Sequence, residues 1–139
     1  VNVLRVIIHC SASDRERDDS FEAIKSLHMA PLSEEIQWGE YKTHGKEFND
    51  IGYHYVITKD GVLHKGRPDN IKGAHVRGFN DNCLGVCVCG NTEFTVKQFI
   101  TLSGLKTYLR YKYGNIEFMG HCDLDPDKTC PNFNVKELL

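Results

Sequence analysis

Apolar positions fall along the chain in blocks, and the spacing within each block differs. In "VLRVIIH" (3–9) they form an almost unbroken β-branched run, the pattern of a central strand covered on both faces. The charged "SASDRERDD" that follows reads as a turn region. Phe21, Ile24, Leu27 and His28 then recur at helical spacing, and Asp19 and Glu22 stand three apart as in a capping box. Together they predict an amphipathic helix over 20–29. From 30 to 50 the chain mixes Pro, two Gly, charges and three aromatics without a period, so a long loop with room for one helical turn is expected. Trp38 in that loop is expected to be a buried anchor, with an exposed binding surface as the alternative.

The second half is more regular. "GYHYVITKDGVLHKGR" sets two β-rich runs on either side of Asp60-Gly61, the dipeptide favoured in type I′ turns, and predicts a hairpin. A Gly- and Asn-rich loop carrying His75 leads into "CLGVCVCG" (83–90), a strand on which Cys87 and Cys89 share one face and Val86 and Val88 the other. Thr95 and Gln98 form a second capping box, and Phe99, Leu102, Leu105 and Leu109 continue at spacings of three and four before Gly114, predicting a helix over 95–113. Gly104 within it costs about 1 kcal/mol relative to Ala, which is expected to mark close packing against the sheet. "NIEFMGH" (115–121) reads as a last strand. This order of strands and helices predicts an α/β fold: a single domain over 1–139 with a central mixed β-sheet flanked by helices.

Composition narrows the function classes. A chain of 139 residues, 40% hydrophobic and 26% charged, suits one core. The formal charge of -2 gives no basic face for nucleic acid, no apolar run is long enough to cross a bilayer, and "VNVLRVIIHC" lacks a signal-peptide pattern. A soluble monomer with neither nucleic-acid partner nor membrane insertion is the expectation. The six Cys read chiefly as small apolar core fillers, with a metal knot of Cys83, Cys87 and Cys89 as the alternative.

Candidate chemistry gathers at strand ends. His9 and His121 each end an apolar strand, and ligand sites in α/β sheets favour the carboxyl ends of strands. Cys130 follows across "CDLDPDKT", a segment rich enough in turn formers to fold back. Two neutral imidazoles and a thiolate suit an open zinc site of the kind that performs hydrolysis. Two structural, hydrogen-bonded histidines are the alternative that spacing alone leaves standing.

Four segments taken in order are far more specific. "IIHCSAS", "IGYHYVITKDGVLHKGR", "GAHVRGFNDNCLGVCVCG" and "GHCDLDPDKTCPNF" closely resemble the type 2 N-acetylmuramoyl-L-alanine amidases, a family that includes short phage endolysins and the animal peptidoglycan recognition proteins. The likeness runs from Val3 to Val135 and is weakest over 30–50. It implies one zinc ion and hydrolysis of the amide joining N-acetylmuramic acid to L-Ala in peptidoglycan, as in endolysin-driven lysis by an enzyme that stays cytoplasmic until then. It also implies His9, His121 and Cys130 as metal ligands, Tyr53 and Lys128 as catalytic residues, and His75 as a substrate-binding residue of the groove. The Tyr53 phenol would orient a water and help move its proton, and Lys128 would add positive charge where an oxyanion develops. No Glu stands at a motif position suited to a general base.

Two departures accompany the likeness. Cys83 stands where these motifs commonly carry Ser, and the acidic loop 123–127 aligns loosely, leaving Cys122 as an alternative ligand to Cys130. Trp38, Tyr41 and Phe48 are expected to border the groove and tune substrate choice. Two rival readings stand beside the amidase: a muropeptide-binding protein without catalysis, a state that in this family often accompanies loss of the Cys ligand, and a cysteine hydrolase with Cys10 or Cys130 as nucleophile.

Overall fold

The computed structural model describes residues 2–139. Its elements are β1 (Arg5–Cys10), α1 (Phe21–Met29), β2 (Glu35–Trp38), β3 (Tyr41–His44), β4 (Tyr55–Ile57), β5 (Leu63–Lys65), β6 (Cys83–Val88), α2 (Val96–Tyr113), β7 (Glu117–Gly120) and α3 (Val135–Leu138). The apolar β1 lies inside a five-stranded sheet of order β5-β4-β6-β1-β7. β4, β6, β1 and β7 are parallel and β5 turns back antiparallel on β4, giving the expected mixed sheet.

Alternation along these strands divides the molecule into two faces. Val6, Ile8, Leu84, Val86 and Val88 pack with Leu102, Leu105 and Leu109 of α2, each fully buried aliphatic contributing about 1.5–3 kcal/mol. Ile7 and Cys87 belong to separate clusters on the opposite face, the Cys87 cluster including Ile24 and Leu27 of α1. Cys87 and Cys89 thus share a face away from Val86 and Val88, as their spacing predicts. Thr95 caps α2 in the expected box with Gln98. The Gln98 amide, wholly buried, donates to the carbonyls of Ile57 (3.2 Å) and Cys89 (2.8 Å), tying the helix start to the ends of β4 and β6.

Four expectations are corrected. Ser20, extended at φ -159°, caps α1 by accepting from the Ala23 N–H, while Asp19 accepts from the Lys59 N–H. The Asp60-Gly61 turn has a positive φ at Gly61 (+81°) but not at Asp60, and the Gly61 N–H donates to Thr58 O at 2.8 Å. This is a type I turn with a bulge at Gly61 rather than type I′. A methyl group at Gly104 would meet nothing within 4 Å, so that glycine faces solvent and marks no close packing. Finally, 30–50 is not a plain loop: β2 and β3 form an antiparallel hairpin of their own, closed by Gly39-Glu40 with Gly39 at φ +57° in the manner of a type II′ turn. Only Ile36 and Trp38 of β2 join the core, too short a run for alternation to show in sequence. Among the described residues, no helix is long and apolar enough to cross a membrane.

Candidate active site

Register explains why two distant histidines meet. Ile8 of β1 pairs with Gly120 of β7 in parallel, so His9 and His121 follow side by side, about one strand spacing apart, at the carboxyl ends of their strands. Their ring centroids are 4.7 Å apart. After His121 the acidic loop does fold back: Leu124 and Asp125 N–H donate to His121 O, Lys128 N–H to Asp125 O, and Cys122 N–H to Cys130 O at 2.9 Å. Asp123 and Asp125 also accept from the N–H groups of Gly120 and Asp127, so these aspartates act as turn formers. The Cys130 sulfur is thereby brought within 3.0 Å of the Cys10 N–H, next to His9.

Coordinating atoms of His9, His121 and Cys130 all lie within 4.8 Å of one another. Among the described residues this is the one such group; Cys83 packs in a different cluster from Cys87 and Cys89, so no cysteine knot forms, and Cys122 stays outside the trio. All six cysteines are unpaired.

The donor set fits a soft or borderline divalent cation. Burial first, then the facing His75 and His121, hold His9 well below the ordinary imidazole value, and burial followed by the Lys128 charge lowers His121. Both rings are therefore neutral and available as ligands. The adjoining Cys10 thiol and then burial push the Cys130 thiol up, so a cation would have to displace its proton, as zinc does.

Tyr53 and His75 reach this centre from the segments that precede β4 and β6. Tyr53 precedes β4; its ring lies 5.2 Å from His9 and 5.2 Å from His28. Burial, then the Cys87 and Cys130 thiols, raise its pKa well above the usual phenol value, so it remains a protonated phenol. His75 Nδ1 lies 2.9 Å from His9 Nε2, and its own Nε2 is buried without a hydrogen-bond partner. Burial, followed by the charge of His54, brings His75 down to about 3. The ring has room because Gly85 of β6 lies beneath it: a methyl there would sit 2.5 Å from His75 Cγ.

A cavity of 950 Å³ extends from the centre along Phe48, Arg77, Phe79 and Asp125, and a second of 520 Å³ contains all three donors and runs along Ser11, Trp38, Tyr41 and Thr43. Tyr53, His75, His121 and Lys128 line both. Trp38 is buried with its indole N–H donating to Ser11 O at 2.6 Å, the anchor role expected of it. His28, which the sequence pattern marks only as a helically spaced position of α1, also lines both cavities, its Nδ1 accepting from the Gly52 N–H at 2.8 Å. Its place as the last apolar-spaced position of α1 makes it read as core; only the fold shows that this end of the helix abuts the site.

The chain matches the N-acetylmuramoyl-L-alanine amidase family over residues 2–133. The endolysin of Klebsiella phage KP32 is 31% identical over 140 residues, covering 95% of this chain and 82% of its own length. Among solved structures, the endolysin N-acetylmuramoyl-L-alanine amidase LysCS from Clostridium intestinale aligns with a TM-score of 0.77 at 27% identity, over 99% of this chain and 81% of that one. Apis mellifera PGRP-SA, at 22% identity, shares the fold with a TM-score of 0.74 over 99% of this chain and 81% of its own. The matched region takes in every residue of the centre, from His9 to Cys130, so the chain belongs to the N-acetylmuramoyl-L-alanine amidase family and is an endolysin-like amidase.

Proposed function

We propose that His9, His121 and Cys130 hold a single zinc ion and that the chain, acting as a monomer, hydrolyses the amide between N-acetylmuramic acid and L-alanine in peptidoglycan during cell-wall lysis. The supporting observation is the convergence of one thiol and two neutral imidazoles within 4.8 Å at an open cavity. Zinc favours that set and keeps a fourth position for water or substrate. When bound, the ion would polarise the scissile carbonyl and acidify a water molecule.

The remaining chemistry falls to the chain's own groups. His75, bonded to His9, holds that imidazole in one orientation and tautomer, the usual task of a metal ligand's neighbour. Tyr53, kept protonated, donates toward the oxyanion or orients the attacking water, and Lys128 on the rim adds positive charge there. Among the described residues, no carboxylate lines the cavity that contains the three donors, so proton transfer there falls to the phenol and to the imidazoles that are not ligands, His28 and His75.

Neither rival finds support in the site. Cys130 is present and placed with both histidines, which favours the enzyme over a binding protein. Among the described residues no imidazole nitrogen hydrogen-bonds the thiol of Cys10 or Cys130, and His9 is engaged with His75 instead of forming the thiol–imidazole pair that a cysteine hydrolase uses. Elemental analysis is expected to find one zinc per chain, and mass spectrometry of digested peptidoglycan to find newly freed L-Ala amino termini. Cys130→Ser should lose both. Undiminished cleavage after exhaustive chelation would refute the zinc mechanism.

A further inference from the structure

We infer that the β2–β3 hairpin is the glycan-binding wall of the groove and that Tyr41 is its platform for a sugar ring. This rests on the amidase reading above and adds on which side of the centre each half of the substrate lies.

The two cavities share the centre but differ in chemistry beyond it. The larger one is lined by Arg77, Phe48 and Phe79 and by one carboxylate, Asp125, while Lys46 and Lys128 line both cavities. Cations there complement the carboxylates of a stem peptide. The hairpin cavity offers the Thr43 hydroxyl and, at Ser11, a hydroxyl that already accepts from the Gly90 N–H at 2.8 Å, beside the rings of Trp38 and Tyr41; no carboxylate is among its lining residues, and its Lys42 is directed to Glu35 at 3.3 Å. Hydroxyls beside aromatic rings suit a neutral pyranose, whose apolar C–H face covers a ring while its hydroxyls stay wet.

Position and rigidity single out Tyr41. Tyr41 is 77% exposed and stands cross-strand from Trp38, which is 9% exposed and bonded to Ser11 O. The turn between them is clamped: the Gly39 N–H donates 2.9 Å to the buried Asp18 carboxylate, which also accepts the Ser13 hydroxyl at 2.6 Å. The hairpin base is fastened to the end of α1, where the N–H groups of Lys46 and Phe48 donate to Leu27 O and His28 O. A large ring is thus presented to solvent at the cavity by a support hydrogen-bonded at both its turn and its base, the arrangement of a preorganised recognition residue. Phe48 lies along the other cavity, so the three aromatics expected to act together divide between the two sides.

Trp38 is the chain's one tryptophan, so its fluorescence reports on this wall independently of cleavage. Zinc-loaded protein would be titrated with glycan strands from which the stem peptides have been removed, and separately with free stem tetrapeptide. The glycan is expected to shift Trp38 emission saturably and the peptide is not. Tyr41→Ala should weaken glycan binding about two- to tenfold and raise KM for intact muropeptide at unchanged kcat, with Tyr41→Phe close to wild type. A Trp38 signal that follows the peptide instead of the glycan, or equal glycan affinity in Tyr41→Ala, overturns the inference. If glycan binding behaves as stated but wild-type protein frees no L-Ala termini, the hairpin assignment stands and the amidase mechanism falls.

Discussion

Replacing Gly85 by Ala puts one methyl group under the catalytic centre without touching any proposed ligand. Gly85 has no positive φ, so alanine suits its backbone, and the whole cost arises from the new carbon, 2.5 Å from His75 Cγ and 2.7 Å from Nδ1. Ordinary carbon contacts lie near ~3.5–4 Å, so the imidazole must retreat by about 1 Å. It has little room: a methyl at Gly73 would meet His75 Cδ2 at 2.6 Å, and the His75 backbone N–H, donating to Asn80 Oδ1 at 3.0 Å, holds the main chain in place. Overpacking of this kind costs about 1–3 kcal/mol, or roughly 3–10 °C of melting temperature for a chain of this size. The same displacement breaks the 2.9 Å bond to His9, and a misplacement of about 1 Å in a catalytic array costs on the order of 10²-fold in rate. Melting curves and kcat/KM for L-Ala release would be measured for Gly85→Ala, His75→Ala and the double variant. In the His75→Ala background the added methyl should cost almost no stability, because the clash is gone. A Gly85→Ala protein with unchanged melting and full activity, or one equally destabilised with His75 absent, would refute the reasoning.

Three further outcomes are expected. Gln98→Ala leaves the Cys89 carbonyl without its partner in the core, takes one of two bonds from the Ile57 carbonyl, which still accepts from the Cys89 N–H, and opens the α2 capping box; denaturant melts should show a loss of about 2–3 kcal/mol. Gly104→Ala, on an exposed helical position with open space around it, should instead stabilise by about 0.5–1 kcal/mol in the same melts. Burial, then the charges of Lys46 and Arg67, hold His28 down at about 4, so below pH 6.5 the unfolded chain binds a proton that the folded chain does not. Metal-free protein should therefore lose stability as pH falls from 6.5 toward 4, by up to about 3 kcal/mol from this residue, and His28→Gln should flatten that slope in pH-dependent melts.

What the sequence discloses and what it conceals follow from the range of each interaction. The α2 cap is a bond between Thr95 and Gln98, three residues apart, and it is legible because both partners lie in one turn. β1 and β6 are legible because strands buried on both faces need apolar residues throughout. The metal centre needed more than local pattern: spacing alone leaves His9 and His121 as two strand ends, and only the Ile8–Gly120 register makes them neighbours. His28 and the hairpin escape notice for a shared reason. Both are fixed by tertiary bonds, His28 to the Gly52 N–H and the hairpin to Ser11, Asp18 and the end of α1, and such bonds leave no periodic trace in the chain. The hairpin also lies outside the four segments that carry the likeness to the amidases, so those segments predict the ligands and are silent about the wall beside them. The centre and that wall are therefore separable features: β1 and β7 fix the ligands through sheet register, while the hairpin is held by bonds to side chains and backbone outside the sheet. Changes to the hairpin's exposed ring should accordingly alter which substrates bind without disturbing how the amide is cut.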